Sequence, residues 1–173
     1  MMELTIGQLY HRFQVQSRLK VKDMPFLMGQ HLYMDSEDLS LEDCIEKAIV
    51  HGTLSVGFIG LAETLVALVG KHHGESPEAQ ELGLEIVKHM REKIDEAVAQ
   101  RKLNYTLLAT PAEGLSGRFV TKDRERYGEI TGVTDREYYT NSYHVPVYFP
   151  ISSYDKIMIE GPYHKFTNAG HIS

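Results

Sequence analysis

Residues Asn104–Phe119 read NYTLLATPAEGLSGRF. The first six combine alternating polarity with a tyrosine, a threonine and two leucines, and they predict a strand over 104–109. Thr110-Pro111-Ala112-Glu113 then predicts a helix start, with proline in the first helical position and an acid close behind it. A strand that runs straight into a helix is the unit of an α/β fold. It also aims the helix's unpaired N–H groups and the positive end of its dipole at the strand's carboxyl edge, where such folds bind ligands. Two readings are open at this junction. In one, Thr110 and Glu113 form a capping box that serves only its own helix. In the other, the amides with Gly114, Ser116 and Gly117 seat a phosphate, and Glu113, which repels an anion, faces the sugar or base.

Working outward, apolar residues at Ile6, Leu9, Tyr10 and Phe13 predict a first helix over roughly 5–20. MPFLMGQHLYMD has no clear period and reads as loop. Ser40 with Asp43 resembles a weakened capping box, and Leu41, Cys44, Ile45, Ala48 and Ile49 trace one helical face. TLSVGFIGL predicts a second strand entering a helix at AETLVALVG, with Gly57 and Gly60 marking close backbone approach. After the polar loop KHHGE, Ser76 as cap and Pro77 at the first position open a long amphipathic helix. Downstream, HVPVYFPI and DKIMIE read as extended, with Pro146 and Pro150 excluding a regular central ladder. TNAGHIS ends in what reads as an incoming strand. The expectation is an α/β chain with largely parallel strands, organised as a single unit over 1–173.

The formal net charge of −6 and a pI near 5.8 argue against nucleic acid or an acidic membrane as partner. One cysteine, Cys44, excludes a disulfide framework and a four-cysteine zinc site. Its apolar helical neighbours predict a buried, inert thiol. His72 and His73, in a loop without ligand partners at metal spacing, read as surface histidines, so no metal site is expected. The amino-terminal stretch has no apolar signal-peptide core, and Thr53–Gly70 is broken by Ser55 and Glu63. A cytoplasmic setting is expected. No Walker A loop and no G-x-G-x-x-G occurs.

Tyr138–Pro150, YYTNSYHVPVYFP, sets rings beside hydrogen-bonding groups. Aromatic rings supply flat apolar walls, and Asn141, Ser142 and His144 supply the few directed hydrogen bonds a nucleoside-sized pocket needs. An irregular strand whose tyrosines simply fill the core is the competing reading. His164, Asn168 and His171 near the end of the sequence are similarly mixed.

Taken together, HGTLSVGFIGLAE, GKHHGES, NYTLLATPAEGLSGRF, GVTDREYYTNSYHVPV and PYHKFTNAGHIS strongly resemble the catalytic chain of the anaerobic, class III ribonucleoside-triphosphate reductases, a family of glycyl radical enzymes. The resemblance runs through essentially the whole chain, including PFLMGQHLYMDSE, yet covers only an interior piece of a chain several times longer. It implies part of a ten-stranded α/β barrel of the glycyl radical and ribonucleotide reductase type. It implies radical conversion of ribonucleoside triphosphates to deoxyribonucleotides, with formate as reductant, a structural zinc, a radical-SAM activating enzyme and a homodimer. Thr110, Pro111, Ala112, Glu113, Gly114, Leu115 and Ser116 then resemble the family's substrate-phosphate loop, and Asn141, Ser142 and His144 a wall of the substrate cavity. The family's radical-bearing and second active-site cysteines, its carboxyl-terminal radical glycine, its zinc cysteines and its amino-terminal nucleotide-binding cone have no counterpart here. No catalytic residue is therefore expected in this piece, which should be inactive alone and prone to associate through uncovered strand edges. A non-enzymatic nucleotide-binding or interaction module left by gene truncation is the alternative. Another glycyl radical lyase is a third, against which the TPAEGLSGRF turn speaks.

Overall fold

The structure, a computed structural model, describes residues 1–170. Its elements in order are α1 (Met2–Gln16), a 3-10 turn at Val21–Asp23, α2 (Glu46–Ile49), β1 (Thr53–Phe58), α3 (Leu61–Val69), α4 (Pro77–Arg101), β2 (Asn104–Ala109), α5 (Glu113–Tyr127), α6 (Ser153–Glu160) and a 3-10 turn at Gly161–Lys165. No helix among the described residues is long and apolar enough to cross a membrane. The chain groups into two compact units. One holds Met1–Val56 with Lys93–Thr106, the other Gly57–Glu92 with the chain from Leu107 onward.

β1 and β2 form a two-stranded sheet. The Asn104 amide donates to Thr53 Oγ1 at 2.9 Å, and Ser55 and Thr106 share a hydroxyl bond at 2.9 Å. Both pairs are 51 residues apart. A constant offset means the strands run parallel, since antiparallel pairing would keep the sum constant instead. Val56 on one strand and Tyr105, Leu107 and Ala109 on the other are buried, while Thr53, Ser55 and Asn104 on the opposite face are exposed. The alternation follows from the period of two in a strand. Beside β2, Asn168 N–H donates to Leu107 O at 2.8 Å and Ala109 N–H to Ala169 O at 2.9 Å, a parallel bridge that begins the strand expected at TNAGHIS. His171 lies outside the described residues.

The first unit packs Val21, Met28, Ile45 and Ala48 as a small core. Here the helix expected from Ser40 shrinks to Glu46–Ile49. Asp43 Oδ2 accepts from both Ser40 N–H and Ser40 Oγ at 2.8 Å and closes a turn, and Cys44 bridges antiparallel to Lys20. Cys44 is therefore exposed, against the expectation of a buried thiol. The second unit centres on Leu61, Ala62, Leu65, Leu107, Val120, Tyr143, Val145 and Tyr163. DKIMIE, expected as strand, lies inside α6 because Ser152 Oγ caps Asp155 N–H at 3.1 Å and outweighs the β-branched character of its isoleucines. His72 and His73, expected at the surface, are 3% and 2% exposed, packed edge-on against Phe149 and Tyr163 respectively.

Candidate functional site

Within the second unit two strand-to-helix turns occur, and Tyr138–Val147 runs past both. The turn after β1 is tied to that segment through its backbone. Ile59 bridges Asn141, Gly60 N–H donates to Thr140 O at 2.7 Å and Leu61 N–H to Ser142 O at 3.3 Å. Glu63, one helical turn on and 5% exposed, accepts from Thr140 N–H at 2.9 Å and from Thr140 Oγ1 at 2.7 Å. A carboxylate with two such donors fixes the segment's path.

The turn after β2 is built differently. Its helix, α5, begins at Glu113, and the cap is Ala112, held in the left-handed region at φ 38 without a side-chain capping bond. The expected capping box does not form. Thr110 Oγ1 only receives Ala112 N–H at 3.4 Å, and the proline pushes the start of the helix two residues later than the spacing predicts. Among the described residues the amides of Glu113 and Gly114 meet no acceptor. Both residues are exposed.

Between this helix tip and the Tyr138–Val147 segment lies a cavity of about 240 Å³. Glu113 and Ser116 line it from α5. Tyr138, Tyr139, Asn141 and His144 face them, and Val145 and Val147 close one side. Of the ten residues singled out in the sequence, the structure thus brings Glu113, Ser116, Asn141 and His144 to one pocket. Thr110, Pro111 and Ala112 make the turn beneath it. Gly114 and Leu115 are exposed in the first turn of α5 and do not line it. Ser142 is fully buried behind the wall at φ 41, and its Oγ has no hydrogen-bond partner among the described residues.

The wall is braced from behind by residues no local pattern announces. His73 Nε2 meets Tyr143 O at 2.8 Å, and burial holds this imidazole's pKa down at about 4, so it is neutral and donates through Nε2. The Tyr143 ring stacks on Tyr163 at 5.0 Å with planes 6° apart. Burial raises the pKa of both phenols, so neither ionises at neutral pH. Tyr139 OH donates to Asp123 Oδ2 at 2.9 Å, and burial together with that carboxylate raises its pKa too. Glu160, fully buried, meets His144 Nδ1 at 3.1 Å and accepts from Val145 N–H at 2.8 Å. Glu160 lies in the segment read as a strand, where its contact with His144 has no sequence signal.

A second cavity, of about 310 Å³ in the first unit, is lined mostly by apolar groups such as Phe13, Met34, Ile49 and Leu54, with Gln16, Tyr33, His51 and Thr53 among them. The pocket at α5 is lined by a carboxylate, hydroxyls, an amide side chain, an imidazole and two rings. Among the described residues no group of histidines, cysteines and acids could hold a metal ion, and one cysteine cannot make the zinc thiolate site that the resemblance implies.

The fold and pocket together define an α/β protein with a polar-lined cavity beside the helix that follows the second parallel strand. The family model described as anaerobic ribonucleoside-triphosphate reductase matches residues 1–173. Relatives named anaerobic ribonucleoside-triphosphate reductase include that of Salmonella typhimurium, 35% identical over 82% of this chain and 21% of its own length, and that of Escherichia coli K12, with the same figures. The one from enterobacteria phage T4 is 38% identical over 70% of this chain and 18% of its own. The chain belongs to the anaerobic ribonucleoside-triphosphate reductase family, whose named members are oxidoreductases. It spans about a fifth of the length of the curated relatives it matches.

Proposed function

We propose that this chain supplies part of the substrate seat of an anaerobic ribonucleoside-triphosphate reductase. Phosphate lies at the tip of α5, and the ribose lies against Asn141 and His144. The observation that carries this reading is the pocket itself, where Glu113 and Ser116 of α5 stand across about 240 Å³ from an aromatic and amide wall, next to a helix tip whose Glu113 and Gly114 amides meet no acceptor among the described residues. Helix N-termini bind anions without further special groups. A volume of that size suits a ribose with one phosphate, leaving the base and the remaining phosphates at the mouth. Glu113 faces hydroxyls and not phosphate.

The sheet supports the wider assignment to a barrel. Parallel strands are ordinarily covered on both faces. Here Thr53, Ser55 and Asn104 leave one face polar and exposed, a face that further elements of a barrel would cover. The radical chemistry, formate, zinc, activating enzyme, dimer and cytoplasmic setting belong to this proposal at the level of the whole enzyme. In this reading the 173-residue chain is inactive alone, because its lone cysteine, Cys44, cannot supply the two active-site thiols that the resemblance implies.

Calorimetry with cytidine triphosphate and with cytidine tests the seat. The triphosphate should bind at least about tenfold more tightly, as charge-assisted bonds to the helix tip require. Equal affinities, or none for either, would remove the proposal. Supplying the remainder of the enzyme by co-expression should restore anaerobic reductase activity, and a persistent lack of activity in a stable complex would favour a binding module.

A further inference from the structure

We propose that Asp123 of α5 is a positioning residue that holds the Tyr139 ring in the pocket wall and so fixes the width of the gap a ligand enters, an inference that rests on the substrate-seat reading. Ser116, Val120 and Asp123 stand at i, i+4 and i+7 and so share one face of α5. Ser116 lines the cavity, Val120 is fully buried, and Asp123 Oδ2 accepts the Tyr139 hydroxyl at 2.9 Å. The other end of the same side chain lies against the turn after β1, where a Cβ added at Gly60 would stand 3.6 Å from Tyr139 Cγ. Tyr139 thus spans from the buried tip of α3 to the flank of α5.

The chain leading into the wall is seated along the same helix. Arg124 Nε donates to Thr134 O at 2.7 Å, and Arg124 Nη2 donates to Arg136 O. Gly117 runs so close to this segment that an added Cβ would meet Glu137 O at 3.4 Å. Beyond Tyr139 the wall passes to Glu63, which takes Thr140. One helix therefore carries both sides of the cavity: Glu113 and Ser116 in its first turn and, through Asp123, the ring that faces them. Burial, with Asp123 beside it, raises the phenol's pKa, so the hydroxyl keeps its hydrogen at neutral pH and directs it to Asp123. A side chain tied at both ends has little freedom left to lose when a ligand arrives, and productive sites hold their walls to within about 0.5 Å. Packing alone does not call for the bond, since a phenylalanine would make the same ring contacts.

Calorimetry with cytidine triphosphate on the 173-residue chain separates positioning from packing. Tyr139→Phe keeps the ring and removes its hydroxyl, and Asp123→Leu keeps the bulk of the partner and removes its oxygens. Each should weaken binding about tenfold, as a misplaced wall does. The double variant should be no weaker than either single one, because both break the same bond. Asp123→Asn, whose side-chain oxygen still accepts the hydroxyl, should bind within about twofold of the wild type. Unchanged affinity in either Tyr139→Phe or Asp123→Leu, losses that add in the double variant, or no rescue by Asp123→Asn overturns the proposal and leaves the substrate seat standing. If a variant does not fold, the wild type decides alone: Overhauser contacts from the Tyr139 ring to Gly60 and Asp123 should persist from the free to the nucleotide-bound chain. A ring that leaves Asp123 on binding overturns the proposal. Failure of the wild type to bind the nucleotide removes the seat, and with it the role given to Asp123.

Discussion

The turn after β1 and the turn after β2 begin as the same device, a parallel strand delivering a helix tip to one edge of the sheet. They end in opposite states. At the first, Gly60 takes φ 78 so that its own amide and that of Leu61 reach carbonyls of the Tyr138–Val147 segment, and Glu63 fastens Thr140 besides. That tip is buried against protein. At the second, Ala112 occupies the left-handed region without glycine's freedom, no side chain caps the helix, and the next two amides are left facing outward. One turn is a fastening for the wall and the other faces the wall across a gap. The proposed ligand site rests on this asymmetry: one helix tip holds the wall, and the other has two amides without acceptors among the described residues.

Breaking the fastening should have the largest effect. Glu63→Ala removes both bonds to Thr140 and leaves a buried amide without an acceptor, a loss of about 3–4 kcal/mol in urea unfolding. A loss below 1 kcal/mol would mean the first turn does not hold the wall.

The brace behind the wall comes next, and its sign is fixed by His73. Its folded pKa of about 4 lies below the usual 6.5 because the ring is buried. The unfolded chain therefore binds the extra proton first as pH falls. The stabilisation is fully present above pH 6.5 and is lost between 6.5 and about 4, by up to about 3 kcal/mol. His72, whose pKa burial also lowers, adds a slope of the same sign, so the wild type should be compared with His73→Gln. The variant should show a shallower fall in stability over that window, and identical profiles would deny that His73 is buried neutral.

The smaller effects sharpen the contrast between the turns. Gly60→Ala meets only ordinary contacts, with Tyr139 Cγ at 3.6 Å, so its cost of about 1–2 kcal/mol is that of a left-handed backbone with a side chain. Ala112→Gly relieves the same strain at the other turn and should raise stability by about 0.5 kcal/mol. Thermal melts of the two variants should therefore move in opposite directions. If both moved downward, the account of the second turn as a strained one would be wrong.

What the sequence made legible follows from the range of the forces involved. β1, α3, α4 and β2 were readable because alternation, helical spacing and Pro77 act over a few residues. The two segments misread as strand and helix, Asp155–Glu160 and Leu41–Ile49, were decided by single side-chain bonds, Ser152 to Asp155 and Asp43 to Ser40. At the site, Glu113, Ser116, Asn141 and His144 stood out because turn chemistry and ring density are local. Glu63, His73 and Glu160 did not, since their partners lie 77, 70 and 16 residues away. His72 and His73 read as surface residues in the sequence because a polar loop gives no warning that Phe149 and Tyr163 will pack against it.

The central claim is that the tip of α5, and not that of α3, receives a nucleotide's phosphates. Backbone amide shifts recorded while a ribonucleoside triphosphate is titrated into the labelled chain test it most directly. The account predicts that Glu113 and Gly114 shift together with Asn141 and His144 along one saturable curve, while Gly60 and Leu61 stay in place. Saturable shifts at Gly60 and Leu61 with Glu113 and Gly114 unmoved would contradict it.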